Sequence, residues 1–208
     1  MTAKRMRIKM CGMTRSSDIT HAVSLGVDAI GIIFYEKSQR YVSIEQAKRL
    51  LQDIPAFVDV VAVFVNPELS LVKQILNELP IQLLQFHGEE SPEFCEKFDK
   101  PYIKAIPAIS AETIIKIAEQ HVNAAAILLD TPSKHHGGTG LAFDWQIIPK
   151  KLPKPVILAG GLDTTNVVSA ISTCSPYAVD VCSGIEASAG IKNHDKMNSF
   201  VNVLWEKG

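Results

Sequence analysis

Short apolar runs alternate with stretches of helical period along the whole chain. Residues 7–11, 28–34, 58–65, 81–86, 102–106, 124–129, 155–159 and 178–181 read as strands. Between and after them, residues 18–26, 43–53, 67–79, 91–98, 111–120, 163–172 and 195–205 carry apolar positions at helical spacing, and a short helix is expected near 144–148. Ser43 with Gln46 three residues on forms a capping box, and Pro67 suits a first helical position. Eight strands, each followed by a helix, imply a parallel sheet. The strand ends near Cys11, Phe34, Asn66, His87, Ile106, Asp130, Gly160 and Ser183 fall 19 to 32 residues apart, about one βα unit each. Eight such units predict a compact single-domain (β/α)8 TIM barrel over residues 1–208, with a doubly wound open sheet as the rival.

Composition narrows the function classes. The chain has 208 residues, 47% of them hydrophobic and 21% charged, which excludes a disordered chain. A net charge of −1 gives no basic surface for nucleic acid or acidic lipid. No run of about 18 apolar residues predicts a membrane span. Met1 to Arg5 leads straight into a strand with no apolar signal region behind it. Cys11, Cys95, Cys174 and Cys182 show no CxxC spacing and read as free thiols of a cytoplasmic protein. The helix faces show no large apolar excess, so a monomer is the default expectation and a dimer the alternative.

In a TIM barrel the chemistry sits on the loops after the strands. Side chains alternate along a strand, so Ile8 and Met10 face the helices while Lys9 and Cys11 face the lumen. A lone cysteine is usually a small buried hydrophobe. At the barrel mouth, with Lys9 one layer below, Cys11 has a route to thiolate character. Asp130 ends the sixth strand, and it reads as a turn residue or as an acid at catalytic height. Asp180 lies within the eighth strand, next to the first in a closed barrel, so it either pairs with Lys9 or makes an unrelated buried hydrogen bond. Gly160-Gly161, Ser183-Gly184 and the 137–140 stretch, with Gly138, Thr139 and Gly140, are loops in which backbone N–H groups can approach an anion. Phosphate sites in such barrels recur after strands seven and eight, so a phosphorylated small molecule is the expected partner. Arg40, in the second loop, can fork onto a carboxylate. His87 stands at a strand end. His135-His136 have no third ligand at cage spacing, so no metal and no cofactor is expected.

Several of these segments together resemble the phosphoribosylanthranilate isomerases. They are Lys9-Met10-Cys11-Gly12-Met13-Thr14, Phe34-Tyr35-Glu36-Lys37-Ser38-Gln39-Arg40, Val63-Phe64-Val65-Asn66, Gln85-Phe86-His87-Gly88, Leu128-Leu129-Asp130, Gly137-Gly138-Thr139-Gly140, Leu158-Ala159-Gly160-Gly161-Leu162, and Val179-Asp180-Val181-Cys182-Ser183-Gly184-Ile185-Glu186. They follow in the family's order and touch seven of the eight strand ends. The chain departs from the pattern at Cys182, where Ser is common, and at Phe86, where Leu is usual. The resemblance implies an Amadori rearrangement of N-(5-phosphoribosyl)anthranilate in tryptophan biosynthesis. It implies Asp130 as general acid, Cys11 as general base, Arg40 on the anthranilate carboxylate, and the loops at Gly160-Gly161 and Ser183-Gly184 on the phosphate. Lys9, His87, Asp180 and the 138–140 loop would support them. A thiol ordinarily ionises near pH ~8.5 and an aspartate near ~4. Lys9 is therefore expected to favour the Cys11 thiolate, and cover by the 137–140 loop to favour neutral Asp130. The alternatives are a histidine-pathway ribotide isomerase and a non-catalytic phosphosugar-binding barrel. The first has Asp in place of Cys11 and needs a second phosphate loop, and the second has no need of both Cys11 and Asp130.

Overall fold

The computed structural model describes residues 5–132 and 142–205. All eight expected strands form within them: β1 (Arg7–Met10), β2 (Ala29–Ile33), β3 (Asp59–Phe64), β4 (Leu83–Phe86), β5 (Tyr102–Pro107), β6 (Ala126–Asp130), β7 (Val156–Leu158) and β8 (Ala178–Val181). They pair in chain order, and β8 returns to β1 in parallel register, setting Lys9 opposite Asp180. The sheet is therefore a closed barrel, and the open doubly wound sheet is excluded.

The period of two along each strand separates two apolar layers. Ile8, Met10, Ile30, Ile32, Phe64, Phe86, Ile127 and Leu129 point outward and pack against the helices. Val61, Val63, Ile103, Ala105, Leu128, Ile157 and Ala159 fill the lumen. Against that lining the buried polar residues Lys9, Gln85, Asp130 and Asp180 stand out.

The outer ring contains α1 (Ser16–Ser24), α2 (Ile44–Leu50), α3 (Leu69–Glu78), α4 (Pro92–Cys95), α5 (Ala111–Gln120), α6 (Val167–Cys174) and α7 (His194–Trp205). The Ser43–Gln46 capping box forms at the start of α2. Three departures from the sequence reading have local causes. Pro67 precedes the Glu68 cap of α3 rather than entering its first turn. The Asp163 carboxylate captures the N–H groups of Thr165 and Asn166 in a turn, so α6 begins four residues later than expected. Between β6 and β7 the described residues hold only a 3₁₀ turn, Trp145–Ile147. Ile148 is extended there because Pro149 follows it. An unforeseen antiparallel pair, β9 (Glu186–Ser188) and β10 (Ile191–Lys192), follows β8.

Candidate active site

Cys11 directly follows β1, its N–H bonded to the carbonyl of Val181 at 2.9 Å. Gly31 on β2 gives it room, since a Cβ there would stand 2.6 Å from the Cys11 Sγ. One layer below, the Lys9 ammonium donates to Asp180 Oδ1 at 2.9 Å, and both side chains are buried. Of the two readings of Asp180, the pairing with Lys9 is the one that forms. Burial alone would discharge Lys9, but the adjacent Asp180 carboxylate more than reverses this and holds its pKa above the ordinary lysine value.

The same pairing corrects the expectation for Cys11. Burial pushes its thiol up to about 12. Lys9 opposes this, but the carboxylate of Asp180 works against it and burial prevails. The resting residue is a neutral thiol, not a thiolate.

Asp130 ends β6 across the lumen. Its Oδ1 accepts the N–H of Thr131 at 2.7 Å, and its Oδ2 lies 3.1 Å from Nε2 of His87. His87 Nδ1 in turn lies 3.1 Å from the amide nitrogen of Gln85. Cys11, Arg40, Gln85, His87, Asp130 and Asp180 line one cavity of about 430 Å³, together with Gly160, Gly161, Cys182 and Ser183. Of the residues singled out from the sequence, Cys11, Arg40, His87, Asp130, Gly160, Gly161, Asp180 and Ser183 line this cavity, whereas Lys9 lies one layer below and Gly184 is not among the lining residues. Gly160 and Gly161 both have positive φ, 81° and 63°. Gly184 packs so closely on the Leu162 carbonyl that a Cβ has no space, which seats the seventh loop against the eighth. Gly138, Thr139 and Gly140, like His135 and His136, lie outside the described residues. No group of three His, Cys, Asp or Glu side chains that could hold a metal ion occurs among the described residues.

Arg40 reaches the cavity already engaged. Its Nε and Nη2 donate to the two carboxylate oxygens of Glu186 at 2.8 and 2.7 Å. Glu186 also takes the Lys192 ammonium at 2.9 Å and the N–H of Gly190 at 3.2 Å. Burial would raise the Glu186 carboxyl, but Arg40 and Lys192 hold it below the ordinary carboxylate range. The β9–β10 pair exists at the mouth to bring Glu186 and Lys192 together. Sequence reasoning gave no role to Gln85, Glu186 or Lys192. Gln85 had a usable signal, being a polar side chain at a lumen-facing strand position. The hydrophobic pattern gave no signal for Glu186 or Lys192, because strands of three and two residues leave no period.

The family model for N-(5'-phosphoribosyl)anthranilate (PRA) isomerase matches residues 8–203. The N-(5'-phosphoribosyl)anthranilate isomerase of Legionella pneumophila (strain Paris) is 61% identical over 206 residues, 99% of this chain and 100% of that one. That of Azotobacter vinelandii is 49% identical, over 96% and 97% of the two chains. The crystal structure of phosphoribosyl anthranilate isomerase from Thermotoga maritima superposes with a TM-score of 0.88 at 37% identity, over 96% of this chain and 98% of that one. A phosphoribosyl anthranilate isomerase in complex with reduced 1-(o-carboxyphenylamino)-1-deoxyribulose 5-phosphate follows at 0.83 and 35%, with the same coverage. With nearly its whole length matched, the chain belongs to the N-(5'-phosphoribosyl)anthranilate isomerase family.

Proposed function

We infer that the chain is an N-(5'-phosphoribosyl)anthranilate isomerase, an aldose–ketose isomerase of tryptophan biosynthesis. The observation that carries the residue roles is that Cys11 and Asp130, from strands one and six, line a single cavity. An Amadori rearrangement needs one acid and one base on two sides of a sugar. Asp130 protonates the furanose ring oxygen, and the C–O bond breaks to give an open-chain Schiff base. Cys11 takes the proton from C2′, and the resulting enolamine tautomerises to the ketone. Arg40 faces the anthranilate carboxylate with the guanidinium edge that Glu186 does not use. The backbone at Gly160-Gly161 and Ser183-Gly184 receives the phosphate.

Cys11 must lose its proton before it can act, so the competent form is a small fraction of the resting enzyme, and we expect a bell-shaped dependence of rate on pH. Free thiols at Cys11, Cys95, Cys174 and Cys182 support a reducing, cytoplasmic setting.

The test supplies substrate in situ from anthranilate and phosphoribosyl pyrophosphate and follows its disappearance. The chain should turn it over. Cys11→Ser and Asp130→Asn should each lose about 10²–10⁴-fold in kcat, with circular dichroism and binding of a reduced product analogue preserved. Absence of turnover by the unmodified chain overturns the activity. A folded variant with near wild-type kcat removes its residue from the mechanism.

A further inference from the structure

Glu90 follows β4, and its side chain is 2% exposed. A buried carboxylate needs donors, and the ends of β3 and β4 supply them. Oε1 takes the N–H of Asn66 at 2.7 Å, and Oε2 takes the N–H of Gly88 at 2.9 Å. The Lys104 ammonium on β5 donates to the same Oε2 at 2.7 Å. The backbone is bent to aim these donors. Asn66 has a positive φ of 46°. A Cβ at Gly88 would stand 2.4 Å from Asn66 Oδ1, so the third and fourth loops interlock. Converging backbone N–H groups with a lysine ammonium make the usual seat of a phosphate. Here the protein's own carboxylate is the anion in that seat.

The donor set lies across the ring from the loops assigned to the substrate phosphate. In the closed order, β3 and β4 stand four places from β7 and β8. Gly88, Glu90 and Lys104 line a second cavity of about 1030 Å³, which shares His87 and Asp130 with the catalytic one. Glu89 and Glu93 line it too, and Lys104 is its one lysine or arginine among the described residues. With Lys104 closed on Glu90, this cavity meets an incoming anion with carboxylates and no free ammonium or guanidinium group.

We propose that Glu90 is a specificity-determining residue. Its carboxylate fills an anion site at the ends of β3 and β4, so the enzyme takes sugars phosphorylated at one end and rejects those with a second phosphate at the other. The proposal rests on the reading of Gly160-Gly161 and Ser183-Gly184 as the phosphate loops. A second phosphate would meet a like charge where it needs donors, and discrimination of this kind works by repulsion as much as by attraction.

The experiment compares the unmodified enzyme, Glu90→Ala, and the double variant Glu90→Ala with Lys104→Met. Thermal midpoints are measured in inorganic phosphate and in chloride at equal ionic strength. Glu90→Ala should unfold at a lower temperature in chloride. Phosphate should raise its midpoint more than that of the unmodified enzyme, because the ion replaces the lost carboxylate. The double variant, without the ammonium, should lose that extra rise. Inhibition by ribulose 5-phosphate and by ribulose 1,5-bisphosphate then reads specificity. The unmodified enzyme should bind the two about equally. Glu90→Ala should bind the bisphosphate about tenfold tighter than the monophosphate, as a regained charge-assisted hydrogen bond allows. An unmodified enzyme that already prefers the bisphosphate about tenfold overturns the proposal, and that measurement needs no variant to fold. A folded Glu90→Ala that phosphate stabilises no more than the unmodified enzyme overturns the anion site. One that gains no preference for the bisphosphate overturns its part in specificity. Failure of the unmodified enzyme to bind either sugar would instead remove the phosphate loops, and the midpoints in phosphate would still decide whether Glu90 fills an anion site.

Discussion

Two side chains of opposite sign meet at Arg40, and they answer to different measurements. The face of Arg40 turned to Glu186 is structural, and the remaining edge is the one proposed to read an aryl carboxylate. A charge-assisted hydrogen bond is worth about 1.5–3 kcal/mol. Arg40→Ala should therefore lower kcat/KM by about one to two powers of ten, and the penalty should shrink for a substrate without the carboxylate. Glu186→Ala differs, because it leaves both Arg40 and the buried Lys192 ammonium without a counter-ion. Removing one partner of a buried pair costs roughly 3–5 kcal/mol. We expect Glu186→Ala to lower the thermal midpoint far more than Arg40→Ala does. Steady-state kinetics with both substrates and thermal unfolding of both variants separate the two. At this scale the sequence was legible wherever a period of two fixed the direction of a side chain. Lys9 and Cys11 were placed in that way, while Asp130 was placed by ending its strand and Asp180 by lying within the strand next to the first. The Arg40–Glu186 pair was not legible, since it joins residues 146 positions apart through loops that carry no period.

At the scale of elements, strands were read almost to their ends and helices less well. A barrel strand is bounded by its lumen and helix faces, both apolar, whereas a helix end is decided by local competition for backbone N–H groups. Asp163 and Pro149 won that competition in ways their residue types alone do not fix. The end of α5 shows what such a terminus can store. His121 closes this helix, 3% exposed, with Nδ1 3.3 Å from the Tyr102 hydroxyl on β5. Burial, aided by Lys104, lowers its pKa from 6.5 to about 4. A depressed folded value means that the unfolded chain binds the proton first as pH falls. The contribution is complete above pH 6.5 and is lost as pH falls through 4. Its ceiling is on the order of 3 kcal/mol. Thermal midpoints measured from pH 7 to pH 4 should fall, and His121→Gln should flatten that fall. An unchanged slope in the variant would mean that other groups carry the acid sensitivity.

For the whole molecule, barrel closure was legible from unit count alone, because eight parallel strands leave two edges that can satisfy each other. The seam is β1 against β8, and at its centre is the buried Lys9–Asp180 pair. Lys9→Met or Asp180→Leu alone leaves one buried charge and should destabilise by roughly 3–5 kcal/mol. The double replacement should cost clearly less than the sum of the two, and chemical denaturation of the three variants measures the difference. The seam also orders events during synthesis. The counter-charge of Lys9 is made 171 residues after Lys9 itself. Until then the first strand is an edge with an ammonium group that has nothing to neutralise it, so early burial is penalised. We expect that penalty to disfavour closure of a half-made sheet on any strand that lacks the counter-charge. On that expectation the ring closes only once residue 180 has been made.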